Sequence, residues 1–502
     1  MSHVIAIDQS TSATKALLYD ADGRCLDDAS KEHRQIYPQP GWVEHDLDEI
    51  WANVLAAGHE LADRNPDELK SLACISLTNQ RETICVFERG TGRPLHNGIV
   101  WQCRRGADIC RELQEAGHGP RVTELTGLRL DTYFSASKLK WLVDHDAGLK
   151  AKLESGEALI GTIDTYLIYR LTGGRVFATD HTNASRTLLY DIGNLRWDQW
   201  LCELFNVLST ALPEVRESGS RFGETTFEGA LPTAVAICGV MGDSQASLFA
   251  QGCFEPGAAK VTFGTGSSVL LNIGDGLRFS KSGSVSTIAW VLNGRATYCF
   301  EGIINYSAAS IAWLKTQLGI LESSAQAGQL ATAVPDNGGV YLVPAFAGLS
   351  APYWKPKARA AIVGLTAHST RNHVVRAAEE SIAYQLRDVL HMMNEDAGLP
   401  LQAIRADGGP TRDGFLMQFT ADLLGIELQV AAVPDCSALG AAMAGMLGSG
   451  LRSGLDELAT LPRETTTYRP QMDQAIVQSN VAGWNDALKG VLNQNEEPTT
   501  VQ

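Results

Sequence analysis

The sequence has no CxxC pair and no Cys/His grouping at zinc spacing, although ten cysteines are scattered between Cys25 and Cys436. That pattern argues against a zinc site and against a disulfide scaffold, and the thiols are expected to be reduced core residues. Positive charge is in short supply: 41 Lys and Arg face 57 Asp and Glu, for a net charge of −16. Phosphate backbones and anionic membranes require clustered cations, so neither nucleic acid nor membrane is expected as a partner. No uncharged apolar run approaches the ~20 residues of a membrane span. "MSHVIAIDQS" enters a strand directly, without the basic and apolar regions of a signal peptide, which points to a cytoplasmic protein. Also missing are a Walker lysine motif and a complete GxGxxG, since the run from Gly264 to Val269 lacks the third glycine. P-loop and Rossmann nucleotide sites are therefore weakly indicated.

What is present suits a two-domain α/β protein. A chain of 502 residues exceeds the size at which one core stops growing. "VIAIDQSTSATKALLYDADGR" reads as strand, Ser/Thr-rich bend, strand and Asp-Gly turn. A similar hairpin, "AKVTFGTGSSVLLNIGDG", follows roughly half a chain later, as two related domains would give. Chance similarity of Gly/Ser/Thr hairpins is the alternative. The domains are placed at 1–247 and 248–450, with 451–502 an extension of the second whose polar tail, from Asn493, frays. The pattern predicts helices over "DLDEIWANVLAAGHELA" and over the long segment ending at Gly398. "SALGAAMAGML" reads as a small-residue helix able to pack closely on a neighbour.

Three Gly/Ser/Thr bends follow strands: Asp8 to Lys15, Gly264 to Ser268 and Gly408 to Gly414. Such bends expose backbone N–H groups that can cradle phosphate oxygens, although one alone is usually a turn. Asp8 and Asp243 are carboxylates beside them, suited to Mg²⁺ or, on local grounds alone, to capping a turn and a helix. "TNQRET", Thr78 to Thr83, sets Arg81 and Glu82 between two strand-like runs. A buried unpaired charge costs several kcal/mol, so a partner or a ligand is required there.

The blocks "TNQRET", "NGIVWQCRR", "TGLRLDTYFSASKLKW", "GTIDTYLIYRLTGG" with "TDHTNASRT", "GDSQASLFAQ" and "VYLVPAFAGLSAPYW" resemble, in order and spacing, the glycerol kinases of the FGGY carbohydrate kinase family. The likeness runs from Ile5 to about Gly445. It implies two actin-like (ribonuclease-H-like) domains with an interdomain active-site cleft, a polyol on the first and ATP on the second. By the same resemblance Arg81, Glu82, Trp101 and Tyr133 bind the polyol with Ser244 and Ser268, and Asp243 is the catalytic base. Asp8 and Asp243 would attend Mg²⁺. Thr11, Ser12, Ala13, Lys15, Thr265, Gly266, Ala308, Ala312, Gly409 and Asp413 would line the nucleotide. The implied activity is ATP-dependent phosphorylation of a small polyol, glycerol to sn-glycerol 3-phosphate, by a homodimer or homotetramer. An actin-like ATPase without a polyol substrate is the competing class.

Several residues depart from the family pattern. Ser244 stands for Gln and Ser268 for a Phe that packs on glycerol carbons, making room for a four-carbon polyol such as erythritol or threitol. Ser10, Ala308, Ala312 and Asp413 replace Gly, Gly, Gln and Asn on the nucleotide side, and Asp413 would add a negative charge near the adenosine. Pro232 and Ala234 stand where some bacterial relatives carry the Gly and Arg of a fructose bisphosphate site, so no inhibition by that ligand is expected.

Overall fold

A computed structural model describes residues 2–355, 357–432 and 435–493, so the tail expected to fray lies, apart from Asn493, outside the described residues. Two large sheets dominate. In the first, His3–Gln9, Ala13–Asp20 and Cys25–Glu32 run as an antiparallel meander. On its other side His3–Gln9 pairs in parallel with Leu72–Asn79, which pairs in parallel with Val235–Gly242, and Arg221–Thr225 closes the edge. The second sheet repeats this plan. Ala258–Phe263 has Ser267–Gly274 antiparallel on one side and Ala403–Asp407 parallel on the other, followed by Leu428–Ala431. A hairpin, Val285–Leu292 with Arg295–Ile304, extends the antiparallel side. Two hairpins with the same neighbours on the same sides are a repeated topology, which a chance likeness of turns would not produce.

Both faces of the parallel strands are covered, as parallel pairs require. One face of the first sheet buries Ile5, Ile7, Ile75 and Leu77 against the helix Leu47–Arg64, whose Ile50, Val54 and Leu61 recur at helical spacing. Asp46 caps that helix, accepting from the N–H groups of Asp48 and Glu49. A small four-stranded sheet, with Ile84–Glu88 and Ala158–Thr162 at its centre and edge, carries a separate apolar cluster inserted into the first half. The long helix Arg371–Ala397 ends at Gly398, in the left-handed conformation, and packs beneath the second sheet.

The segment between the two sheets departs from a linear division of the chain. Helix Cys436–Gly448, late in the sequence and within the range 248–450, packs on the first sheet, while Asp243–Ala250 lies against it and reaches the second. Its small residues permit this: a Cβ at Gly445 would stand 2.0 Å from Ser76 Oγ. Val4, Ala6, Cys74 and Met241 of the first sheet thus share one core with Ala258, Leu270 and Trp290 of the second. A cut between residues 247 and 248 would fall inside the helix Asp243–Ala250. The extension adds strand Thr465–Tyr468 to the second sheet and the helix Gln474–Asn493, whose Trp484 stacks on Tyr384 and donates to Asp388. Among the described residues the ten cysteines form no disulfide, and all but Cys25 are buried. Among the described residues no helix is long and apolar enough to cross a membrane.

Candidate active site

Three neighbouring parallel strands end on one edge of the first sheet, and topology alone brings their following residues together. Register pairs Asp8 with Thr78, and Gly242 with Asn79. Asp8, the Arg81–Glu82 turn and Asp243 therefore leave the sheet side by side, at the carboxyl ends where α/β sheets hold ligands. The turn is braced from below: Gln80 N donates to Gln9 O at 2.8 Å, and Thr83 Oγ1 to Gln80 Oε1 at 2.9 Å. Glu82 has φ +60°, a left-handed conformation that a non-glycine residue holds at about 1–3 kcal/mol. This conformation directs its carboxylate inward.

Arg81 and Glu82 are both buried, and each has a countercharge. Arg81 Nη2 donates to Glu301 Oε1 at 2.8 Å and Nη1 to Gln245 Oε1 at 3.1 Å. Its Nε lies 3.0 Å from Asp243 Oδ1, an ion pair off the hydrogen-bonding direction. Arg186 Nε donates to Glu82 Oε1 at 2.6 Å, and Arg186 Nη2 pairs with Glu301 Oε2 at the same distance. Two guanidinium groups thus face three carboxylates. Burial would raise Glu301, but Arg186 and Arg81 outweigh it and hold its carboxyl down at about 2. For Glu82 burial prevails over the same two cations, and its carboxyl is pushed up. Asp243 is the open member, its side chain 40% exposed against 4% for Arg81. Gly242, not Asp243, occupies the cap position of the following helix, which removes the capping role as the reason for an acid there.

An aromatic wall flanks the charges. Trp101 and Tyr133 pack with ring centroids 5.2 Å apart, and Trp101 Nε1 donates to Thr11 Oγ1 at 3.1 Å. Lys138, fully buried, donates to the carbonyls of Thr132, Tyr133 and Phe134 at 2.7–2.9 Å and so fixes the turn that presents Tyr133. Burial pushes its ammonium down to about 8, which still leaves it charged near neutrality, as three carbonyl acceptors demand. Ser135 Oγ donates to Glu82 O at 2.9 Å, tying that turn to the acid.

The second sheet offers its own strand ends. Thr262 pairs with Asp407, so the Gly264–Gly266 and Gly408–Gly409 bends emerge together. Ser307 N and Ala309 N donate to Thr265 O, and Ala308 N to Gly264 O, seating the helix Ala308–Thr316 on the first of these bends. Gly408 has φ +101° and a Cβ there would meet Phe263 O at 1.9 Å, whereas Gly409 faces open space. Ser12, Thr265 and Ala312 are exposed and Ala13 is half-buried. Asp413 Oδ1 accepts from Phe415 N and Leu416 N, capping the helix Gly414–Leu424. Ser244 N donates to Asp243 Oδ1 at 2.6 Å, and Ser268 is half-buried with its hydroxyl enclosed and unpartnered.

The FGGY family of carbohydrate kinases matches over residues 3–250 with its N-terminal domain and over 259–449 with its C-terminal domain. The chain belongs to this family. The FGGY protein is 45% identical to a glycerol kinase of Desulfitobacterium hafniense over 98% of its own length and 99% of that protein's, and 46% identical to one from Carboxydothermus hydrogenoformans over 97% of each. Its fold superposes on the crystal structure of Plasmodium falciparum glycerol kinase with ADP with a TM-score of 0.93 at 35% identity, covering 98% of both chains. It is an ATP-dependent carbohydrate kinase with two actin-like α/β domains.

Within this FGGY kinase Asp8 is short of positive charge. Burial first, then Asp243 and Asp435, push its carboxyl up to about 7, against a lowering by Lys15. Lys15 itself is paired with Asp435, Nζ to Oδ1 at 2.5 Å, and Asp435 belongs to the later half of the chain. An acid crowded by acids, with its neighbouring lysine already engaged, fits a divalent cation. Among the described residues no group of three or more His, Cys, Asp or Glu forms a dedicated metal cage. Mg²⁺ requires none, because it takes one or two carboxylates and completes its octahedron with water and phosphate oxygens. Arg186 and Glu301 complete the charge cluster around Arg81 and Glu82 and are not among the residues expected from the sequence. Arg186 lay within the quoted block "TDHTNASRT", and the need for a countercharge to Arg81 and Glu82 was the signal that could have found it.

Proposed function

We propose that this kinase transfers the terminal phosphoryl of ATP to a hydroxyl of glycerol, giving sn-glycerol 3-phosphate. The observation that carries the reading is the juxtaposition of a buried donor, Arg81, a buried acceptor, Glu82, and a half-exposed carboxylate, Asp243, 3.0 Å from that donor. Vicinal hydroxyls donate and accept, so Arg81 and Glu82 together read a hydroxyl pair while Trp101 and Tyr133 cover the carbons. A site built on such bonds rejects analogues lacking a hydroxyl by ~10⁴ or more. The glycerol kinases that share 43–46% of their residues with this chain support the choice of substrate.

Asp243 is placed to orient the attacking hydroxyl and to accept its proton late, when bonding to phosphorus is nearly complete, so a weak base suffices. Asp8, with Asp243, would hold Mg²⁺, which neutralises phosphate charge when bound. The bends at Thr11–Ala13, Thr265–Gly266 and Gly409 offer backbone N–H groups to the phosphates and room for the nucleotide, with Ala308 and Ala312 on the same side. We place the domain boundary after Ala250 and the enzyme in the cytoplasm as a homodimer or homotetramer, like the family pattern. Fructose bisphosphate should not inhibit it.

Ser268 favours a second reading. Its enclosed, unpartnered hydroxyl lies where the resemblance puts an aromatic ring, which suits one more substrate hydroxyl and hence erythritol or threitol. A coupled ADP assay over glycerol, dihydroxyacetone, erythritol, the threitols and pentitols decides between them. The highest kcat/KM with glycerol supports the first reading, a four-carbon optimum the second, and ADP release independent of any polyol would remove both.

A further inference from the structure

We infer that Glu301 is a positioning residue for the polyol clamp, holding Arg81 and Arg186 in place from the second domain. The inference rests on the polyol-kinase reading and extends it to a residue outside the substrate contacts. Glu301 lies on Arg295–Ile304, whose register places it opposite Leu270 in the second sheet, whereas Arg81 and Glu82 belong to the first. Its side chain is completely buried and divides its two oxygens: Oε1 accepts from Arg81 at 2.8 Å, and Oε2 pairs with Arg186 at 2.6 Å. Arg186, also completely buried, passes the constraint on, because its Nε fixes Glu82 Oε1 at 2.6 Å. Glu301 therefore sets the donor of the clamp directly and its acceptor through one intermediary.

Removing that carboxylate has a directional consequence. Arg81 would keep only the Gln245 carbonyl oxygen and the anions at Asp243 and Glu82 as acceptors. Its guanidinium would be drawn onto Asp243, the group that must face the reacting hydroxyl. Arg186, whose Nη1 lacks a partner and whose Nη2 meets Glu301 as an ion pair off the hydrogen-bonding direction, would retain one ion pair, through Nε, beside the Tyr133 and Phe134 rings, and two buried guanidinium groups would repel without the anion between them. Substrate binding and base orientation should both fail while the nucleotide side, on other strand ends, is spared. The link also makes the clamp depend on how the two domains meet, so that the polyol site is complete only when the second sheet is seated against the first.

The test is steady-state kinetics and thermal melting of the full chain carrying Glu301→Gln, which keeps shape and removes charge. The expected result is a glycerol KM raised at least ~30-fold with the ATP KM within about threefold, and partial recovery in Glu301→Asp. A folded Glu301→Gln enzyme with an unchanged glycerol KM would overturn the proposal, as would loss of active protein with both KM values unchanged. Should that variant not fold, Arg186→Gln with Glu301→Gln removes one charge of each sign. A folded double variant with a high glycerol KM supports positioning, whereas recovery of KM, or failure of the pair to fold, assigns both residues to the core alone. Absence of polyol-dependent ADP formation in the unaltered protein would instead count against the functional reading itself.

Discussion

At the scale of single residues, the central feature is that each buried charge of the Arg81–Glu82 cluster meets a countercharge. Arg81, Glu82, Arg186 and Glu301 form a closed set, and Asp243 is the one carboxylate of the group left open to a ligand. Asp243→Asn keeps the shape and the Ser244 contact but cannot accept a proton. Polyol binding should stay within a few-fold while kcat falls at least ~10²-fold, measured by equilibrium titration beside turnover. A second acid shows what burial does without a cation. Asp164 accepts from Thr162 and Thr179 Oγ1 at 2.5 and 2.6 Å, yet burial, with Asp180, pushes its carboxyl up to about 7. A folded-state value above the unfolded one means that the folded protein binds the proton more tightly. The contribution to stability is full below the ordinary Asp range and is lost as pH rises through about 7. Melting curves should therefore show the unaltered protein losing stability relative to Asp164→Asn between the ordinary Asp range and about pH 7, with no further loss above it.

At the scale of elements, strand ends and helix starts carry the site. The Asp8 bend, the Arg81–Glu82 turn and Asp243 meet because three parallel strands are neighbours, and the opening strand and its partner Leu72–Asn79 were both readable from their short β-branched runs. Asp413 belongs here too. Its side chain caps the helix Gly414–Leu424, a role that an Asp and an Asn fill equally well. Asp413→Asn should leave stability within about 0.5 kcal/mol, whereas Asp413→Ala should cost about 1 kcal/mol. For a domain of this size that is a fall of about 2–4 °C in melting temperature, with little change in ATP KM. A large rise in ATP KM with an unchanged melting temperature would instead make Asp413 a nucleotide contact.

At the scale of the whole molecule, two sheets of the same plan share one core, to which the helices Asp243–Ala250 and Cys436–Gly448 both contribute. Pro232 and Ala234 are exposed just before the strand that leads to Asp243. With no guanidinium at Ala234 to clamp a phosphate there, activity should be unchanged by fructose bisphosphate at sub-millimolar concentration, a result that initial-rate assays with and without the ligand would establish. Much of this was legible in the chain itself. Hairpin repetition, the helix patterns and the blocks around Arg81, Tyr133 and Asp243 determine the α/β class, the family and the candidate site residues, because each depends on local periodicity or on short contiguous motifs. What only tertiary structure decided is which distant charges neutralise which. Arg186 stands 104 positions from Glu82, and Glu301 stands 220 from Arg81. Nothing in local sequence specifies such a pairing; it arises when two sheets close on one another, and the cost of burying a lone charge requires that a partner be there when they do.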